Sequence, residues 1–410
     1  MKHVIIVGGG ASGMMAAIFA ADNGADVTLI ERNNKLGRKL YITGKGRCNV
    51  TNHCTIEEFI KEVPRNGKFL YSALHFLSPE QMIGFLIENG CDVVLERGRR
   101  VFPASGKASD VTKALEKKIK KLCVTVNKEE RVASLIVQEN KILGIKLYSG
   151  TTVYSNAVVM ATGGLSYPQT GSTGDGYTFL NQAGHSIIDT QPGLCALHTN
   201  ELWPASLMGL SLTNVMLSVY KTGSRIYHSL GELMFTHNGL SGPLVLEASS
   251  YINANCIDEY NMSIDTKPGL TTELLEKRLI REIKNTPNAS CQSMLAKLLP
   301  NRLAGVILSL SGIDVYKKVS QISKSDRQDI IRLVKGITLS ISQLASYEEA
   351  IITRGGVSVK EIDAQTMESR LIKGLYIVGE LIDVDAHTGG YNLQIAFSTG
   401  ASAGYHAALE

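Results

Sequence analysis

The chain has 410 residues, 44% hydrophobic and 20% charged, with a formal net charge of +4. That length suits two or three domains, and the composition is that of a globular protein rather than a disordered or fibrous one. No stretch approaches the roughly 18 uninterrupted apolar residues of a membrane span. The densest basic cluster, Lys117-Lys118 and Lys120-Lys121, reads as the solvated face of a helix. The expected partner is therefore a small molecule, with no nucleic acid and no membrane, and the oligomeric state stays open. Seven cysteines without an extracellular spacing pattern point to reduced thiols and a cytoplasmic setting. Lys2 and the apolar residues after it have the outline of a signal peptide, but three glycines and Ser12 interrupt it, which argues against secretion.

The first element is a strand, Val4-Ile5-Ile6-Val7. It is followed by Gly8-Gly9-Gly10-Ala11-Ser12-Gly13 and an apolar helix to Ala21. This Gly-x-Gly-x-x-Gly turn between strand and helix is a dinucleotide fingerprint. Gly8 permits the turn, Gly10 lets backbone approach a pyrophosphate, and Gly13 lets helix and strand pack closely. The helix start at Ala11 and Ser12 offers N–H groups and a positive dipole end to phosphates. Gly24 ends the helix, Asp26–Ile30 forms the second strand, and Glu31 closes it. An acid at that position accepts hydrogen bonds from an adenosine ribose and repels a 2′-phosphate. Replacing Glu31 by arginine is expected to weaken nucleotide binding and leave the fold intact.

Strands and helices continue to alternate as far as residue 188. Helices are expected near Pro79–Asn89 and over Ala108–Lys121. Short strands follow at Cys123–Asn127, Val132–Val137, Ile142–Tyr148 and Thr151–Tyr154, then the buried run Ala157–Ala161. Residues 187–266 read as mostly β, with Leu212–Tyr220 and Met262–Asp265 as strands and a helix near Pro243–Asn253. Residues 270–335 read as helical, and 337–353 return to β character. Gly374–Gly379 is a last strand and Asn392–Leu409 a last helix. Both chain ends then build one α/β nucleotide domain around an insert.

The strand Tyr376–Val378, followed by Gly379-Glu380 and by Gly389-Gly390-Tyr391-Asn392-Leu393-Gln394, resembles the C-terminal flavin segment of the glutathione-reductase-like superfamily. There an acid after the glycine holds the ribityl chain, and the next helix points its N-terminus at the flavin pyrimidine. Glu380, Asp383 and Asp385 are the three acids that stand in that region here. Within the superfamily the whole chain resembles the HI0933-like or BaiN-like family of FAD-dependent oxidoreductases, which takes in aminoacetone oxidases. The most specific segment is Thr43-Gly44-Lys45-Gly46-Arg47-Cys48-Asn49-Val50-Thr51-Asn52, where Lys45 replaces a small residue. Arg100–Pro103, Ala161-Thr162-Gly163-Gly164, Gly171–Gly176, Leu240–Pro243, Thr353-Arg354-Gly355-Gly356-Val357 and Thr388–Gln394 also match.

The resemblance implies a Rossmann-like FAD-binding domain (1–188 with 355–410), a β-barrel-like insert (189–268 with 337–354) and a small helical bundle (269–336). It places Gly44, Gly46, Arg47, Cys48, Asn49 and Thr51 at the cofactor, with Ala161, Thr162 and Gly163 at the carboxyl edge of the sheet. Gly379, Gly390, Asn392 and Leu393 follow at the flavin. Arg47 either meets a phosphate or flavin oxygen or pairs with a structural carboxylate. Arg32, Arg38 and Lys39 either flank the adenosine or lie on the surface, and Val132 either touches adenine or is core. His237 and His387 are either structural or face substrate. Cys48 and Cys54, with five residues between them and no second nucleotide domain, read as packed thiols rather than a redox disulfide.

A flavin N5 implies hydride chemistry at a pocket between nucleotide domain and insert. The leading expectation is NAD(P)H-dependent reduction of an activated C=C bond of dehydro-steroid or bile-acid type, NAD(P)H docking transiently. The alternatives are oxygen-dependent oxidation of a small amine such as aminoacetone, a non-catalytic flavin-binding sensor or interaction protein, and a flavoprotein that modifies RNA. A large basic stripe on the insert would support the last, and the sequence shows none.

Overall fold

Five short strands pair in parallel to make the central sheet. Their order is Leu375–Ile377, Ala157–Met160, β1 (His3–Val7), β2 (Asp26–Glu31) and Thr125–Lys128. Ile6 lies opposite Val159 on one side and Leu29 on the other, and Val159 lies opposite Tyr376. The inner strands are apolar on both faces, as a parallel sheet covered on both sides requires. The helices Ala11–Asp22 and Tyr391–Leu409 pack against them, and so does the strand Lys141–Leu147 of a separate three-stranded antiparallel sheet. The helix α1 (Ala11–Asp22) packs closely against the last helix, Tyr391–Leu409. A Cβ on Gly400 or Gly404 would lie 2.2 or 2.1 Å from the carbonyl oxygens of Ser12 and Ala16. The sequence ends of this unit are therefore joined helix to helix, close to the glycine turn.

The computed structural model describes residues 1–409, and the chain divides into two units, Met1–Gly193 with Tyr347–Glu410 and Leu194–Ser346. Ile187–Gly193 and Ile352–Val357, expected to belong largely to the insert, pair with each other and cluster with the first unit. Thr353 explains this: its Oγ1 accepts hydrogen bonds from the N–H groups of Leu165 and Ser166 at 2.7 and 3.0 Å, inside the nucleotide unit. The borders therefore fall at 193/194 and 346/347 instead of 188/189 and 354/355.

The second unit holds a closed six-stranded barrel. Its strands are Leu197–Thr199, Gly239–Ser241, Ser224–Phe235, Ser211–Lys221, Tyr260–Asp265 and Ile337–Leu344. Alternation places Val215, Leu217 and Val219 in its core with Met262, Ile264 and Leu339. Between the last two strands runs a lobe of four helices, Thr272–Asn285, Cys291–Leu295, Asn301–Leu310 and Lys324–Lys335. Thr271, Ser290 and Ser323 cap three of them, and Leu279, Leu295, Ile307 and Val334 fill the lobe interior. No helix among the described residues is long and apolar enough to cross a membrane.

Candidate active site

The glycine turn is shaped as the fingerprint requires. A Cβ on Gly13 would fall 1.8 Å from the Gly8 carbonyl oxygen, so any side chain there forces helix and strand apart. A Cβ on Gly10 would meet nothing within 4 Å, so the turn faces open space at the position where a pyrophosphate approaches. No side chain among the described residues caps α1, and its dipole end is left for an anion.

Glu31 is buried and does more than the sequence suggested. Its Oε2 accepts the Gly9 N–H at 2.7 Å, and its Oε1 accepts both the backbone N–H and the Nδ2 of Asn33 at 2.7 Å. A carboxylate offers about four acceptor sites, so three are filled and a ribose finds room for roughly one more hydrogen bond. The expectation that Glu31→Arg leaves the fold intact is corrected: it would remove three acceptors and bury a cation beside the glycine turn. Asn33, which the sequence reading missed, also donates to the Thr170 carbonyl at 3.0 Å.

Arg32, Arg38 and Lys39 are all engaged. Arg32 Nη1 donates to Thr173 Oγ1 at 2.5 Å and lies 3.4 Å from Asp175 Oδ2, which Arg131 also pairs. Arg38 donates to Asn33 Oδ1 at 2.7 Å. Lys39 Nζ donates to Ser166 Oγ and Glu380 Oε2, both at 2.7 Å. Val132 is buried at the start of its strand, and nearby Glu130 N–H donates to the Glu31 carbonyl at 3.1 Å, which ties this segment to the end of β2.

The Thr43–Gly46 turn has positive φ at Gly44, Lys45 and Gly46, and Cys48 adds a fourth at +59°. Turns of this kind expose successive N–H groups to an anionic or polar edge. Arg47 takes the second of its two expected roles: its guanidinium pairs with Glu96 and lies 4.4 Å from the centre of the Phe102 ring. Burial pushes the Cys48 thiol up to about 12 and the Cys54 thiol up to about 11, the reverse of what a thiolate nucleophile needs.

Thr51 meets the start of the last helix. A Cβ on Gly390 would lie 2.5 Å from the Thr51 carbonyl carbon and oxygen, which leaves glycine as the only fit. Asn52 Nδ2 bridges the carbonyls of Gly98 and Gly389 at 3.0 and 3.3 Å. Asn392 clamps the preceding loop, its Nδ2 donating to Ala386 O at 2.7 Å and its Oδ1 accepting Ala386 N–H at 3.0 Å. Leu393 is half-buried behind it. His387 Nδ1 lies 3.0 Å from Glu62 Oε2.

Of the three acids, two are tied down. Glu380 holds Lys39 through Oε2, and through Oε1 the Thr353 N–H at 2.7 Å and Ser166 Oγ at 2.8 Å. Asp385, fully buried, is paired twice by Arg65 at 3.0 and 3.3 Å. Among the described residues Asp383 accepts only Asn66 Nδ2 on its carboxylate, at 3.0 Å, and burial holds its carboxyl above the usual range. Ser166 and Thr353 stand 187 residues apart, so no local pattern announced this network.

A flavin dinucleotide fits this cradle. Asn49 Oδ1, Thr51 Oγ1 and Thr162 Oγ1 are buried without a hydrogen-bond partner among the described residues. Leaving such groups unmet costs about 1–3 kcal/mol each, and all three belong to segments expected to face the cofactor. Ala161 and Gly163 flank Thr162, Ala161 N–H donating to Val7 O at 2.9 Å.

The chain is 30% identical to a 3-dehydro-bile acid delta(4,6)-reductase of Clostridium scindens over 100% of this chain and 99% of the relative. It is 32% identical to a ribosomal RNA dihydrouridine synthase of Escherichia coli over 96% of this chain and 95% of the relative. A solved 3-ketosteroid delta1-dehydrogenase of Sterolibacterium denitrificans superposes with a TM-score of 0.53 at 13% identity, covering 100% of both chains, which shows a shared fold. The family model described as HI0933-like protein Rossmann domain matches residues 2–406. The chain belongs to the HI0933-like family and is an FAD-dependent oxidoreductase.

Proposed function

We propose that this protein reduces a C=C bond conjugated to a carbonyl, with NAD(P)H as the electron donor. The observation that carries the reading is that two full-length relatives with different substrates are named for saturating the same kind of bond. A Δ4 bond beside a 3-oxo group is an enone. Dihydrouridine is uridine whose C5=C6 bond, conjugated to the C4 carbonyl, has gained a hydride and a proton. When bound, FAD supplies the two-electron hydride chemistry that links a reduced nicotinamide to such a bond.

The chain's own residues hold and tune. Gly10 and the start of α1 receive the pyrophosphate, Glu31 takes a single ribose hydroxyl, and Asp383, with the least occupied carboxylate, takes the ribityl hydroxyls. The unmet oxygens of Asn49, Thr51 and Thr162 accept from the cofactor's N–H and O–H groups. The N-terminus of the Tyr391–Leu409 helix, fixed by Gly390 and Asn392, stabilises negative charge that grows on the reduced cofactor. The proton for the second carbon is assigned to His387, which Glu62 orients.

The test is anaerobic turnover with NADH and NADPH against a 3-oxo-Δ4 steroid, a uridine-containing RNA and aminoacetone. The expected result is nicotinamide oxidation that stops without an enone-type acceptor, and a saturated product. Peroxide release on aerobic addition of aminoacetone, with no saturated product from either acceptor, would overturn the reading in favour of an amine oxidase.

A further inference from the structure

The positive charge of this chain is concentrated in one place. The whole sequence has 42 Lys and Arg against 38 Asp and Glu, but residues 272–335 carry 12 against 6, and the rest of the chain 30 against 32. No long basic run marks this excess, because the residues are spread over four helices and the turns between them.

Four of the six acids there are already paired or capping. Glu282 meets Lys297, Asp326 meets Lys317 and caps its own helix, Asp329 meets Arg332, and Asp314 accepts the Tyr316 N–H. Lys277, Arg281, Lys284, Lys318 and Lys324 are exposed, and none makes an ion pair among the described residues. The first three stand at i, i+4 and i+7 on the Thr272–Asn285 helix, a single stripe about 10 Å long. Past the end of that helix the chain pairs with the turn that carries the other end of the patch. Ser290 bridges Lys318, Cys291 N–H donates to the Lys317 carbonyl at 2.9 Å, and Ser320 N–H donates to the Pro287 carbonyl at 3.0 Å. On this turn Tyr316 is 81% exposed, a large aromatic with no hydrophobic reason to be there.

We propose that this lobe is an RNA-docking surface, with Lys277, Arg281, Lys284 and Lys318 on backbone phosphates and Tyr316 stacked on an unpaired base. The proposal rests on the conjugated C=C reading above and names RNA uracil as the bond's carrier. A row of unpaired cations ending in an exposed aromatic is the pattern that binds single-stranded or looped RNA, where phosphate contacts give affinity and stacking adds a salt-independent part. A steroid acceptor needs no such row. A membrane surface fits less well, because Leu275 and Leu279 of the basic helix are buried in the lobe and its one exposed leucine, Leu274, does not make the broad apolar face that lipid insertion needs.

The experiment is fluorescence anisotropy of the FAD-loaded full chain with an unmodified ribosomal RNA fragment made in vitro, across a salt series. The wild type is expected to bind with a steep salt dependence. Lys277→Gln/Arg281→Gln/Lys284→Gln is expected to flatten the log–log salt slope by about 2 to 3, the loss of three phosphate contacts. Tyr316→Ala is expected to lose roughly tenfold in affinity at an unchanged slope. Lys117→Gln/Lys120→Gln/Lys121→Gln removes the same charge from the first unit and is expected to bind as wild type, as a check that the lobe rather than net charge decides. All variants should keep their FAD content and their rate with a 3-oxo-Δ4 steroid if that bond is reduced.

Equal losses in both triple variants, wild-type RNA binding by the lobe variant, or lobe-dependent binding to anionic lipid vesicles without RNA binding would each overturn the docking surface. Steroid reduction with no RNA binding refutes this inference alone. Absence of any saturated product refutes the reading beneath it.

Discussion

Replacing Glu31 by glutamine separates its two roles. The carboxylate accepts three N–H groups at 2.7 Å, from Gly9 and twice from Asn33. An amide has one oxygen, so its NH2 must face either Gly9 or Asn33. The cheaper arrangement keeps Asn33 and leaves the buried Gly9 N–H without an acceptor, which costs about 1–3 kcal/mol. The apo protein should lose that much stability. FAD binding should weaken further, because the remaining carboxylate site for the ribose is gone: a charge-assisted hydrogen bond of about 1.5–3 kcal/mol corresponds to a roughly tenfold to hundredfold rise in Kd. Denaturant melts of the apo protein give the first number and flavin titration the second. If the apo protein is destabilised while FAD Kd stays within twofold of wild type, Glu31 is a clamp on the turn only and the ribose contact is refuted.

The other acids and the thiols give further outcomes. Asp383→Asn should lower FAD affinity with little change in apo melting, whereas Glu380→Gln should lower apo melting, because Glu380 holds Lys39, Ser166 and Thr353; the same response from both would undo the assignment. Anaerobic titration should consume one two-electron equivalent per FAD, and Cys54→Ser should leave it unchanged; an extra electron pair that disappears in that variant would revive a redox disulfide. His185, buried with Nε2 2.8 Å from Ser369 Oγ, has its pKa lowered from 6.5 by burial. The unfolded chain therefore takes up this proton first, and stability present above about pH 6.5 is lost as pH falls through the lower folded value. His185→Gln should flatten that part of a pH–melting curve, and an unchanged curve would show that the ring is not held neutral.

Strand, turn and helix at the N-terminus were legible because each is a local pattern: apolar run, glycine spacing, apolar helix. The same holds for the Ala108–Lys121 helix, found at the expected bounds, and for Pro79–Glu88, which ends within a residue of the expected stop. The ribbon of Ile187–Gly193 and Ile352–Val357 was assigned elsewhere because β pattern does not name a strand's partner. The pairings of Arg47 with Glu96 and of Lys39 with Glu380 join residues far apart in sequence, so charge at one position gave no sign of its mate. The basic lobe escaped for a different reason: residues 270–335 already read as one helical segment, but their charge stands out only when counted apart from the rest of the chain.

The most direct test is a single turnover. The FAD enzyme, reduced anaerobically by one equivalent of NADPH or NADH, is mixed with excess unmodified ribosomal RNA or 3-oxo-Δ4 steroid. Flavin reoxidation and product mass are then followed together. The expected result is one saturated C=C bond, with two added hydrogens, for each flavin reoxidised. Reduced flavin that persists with both acceptors and reoxidises only when oxygen is admitted would contradict the reductase reading.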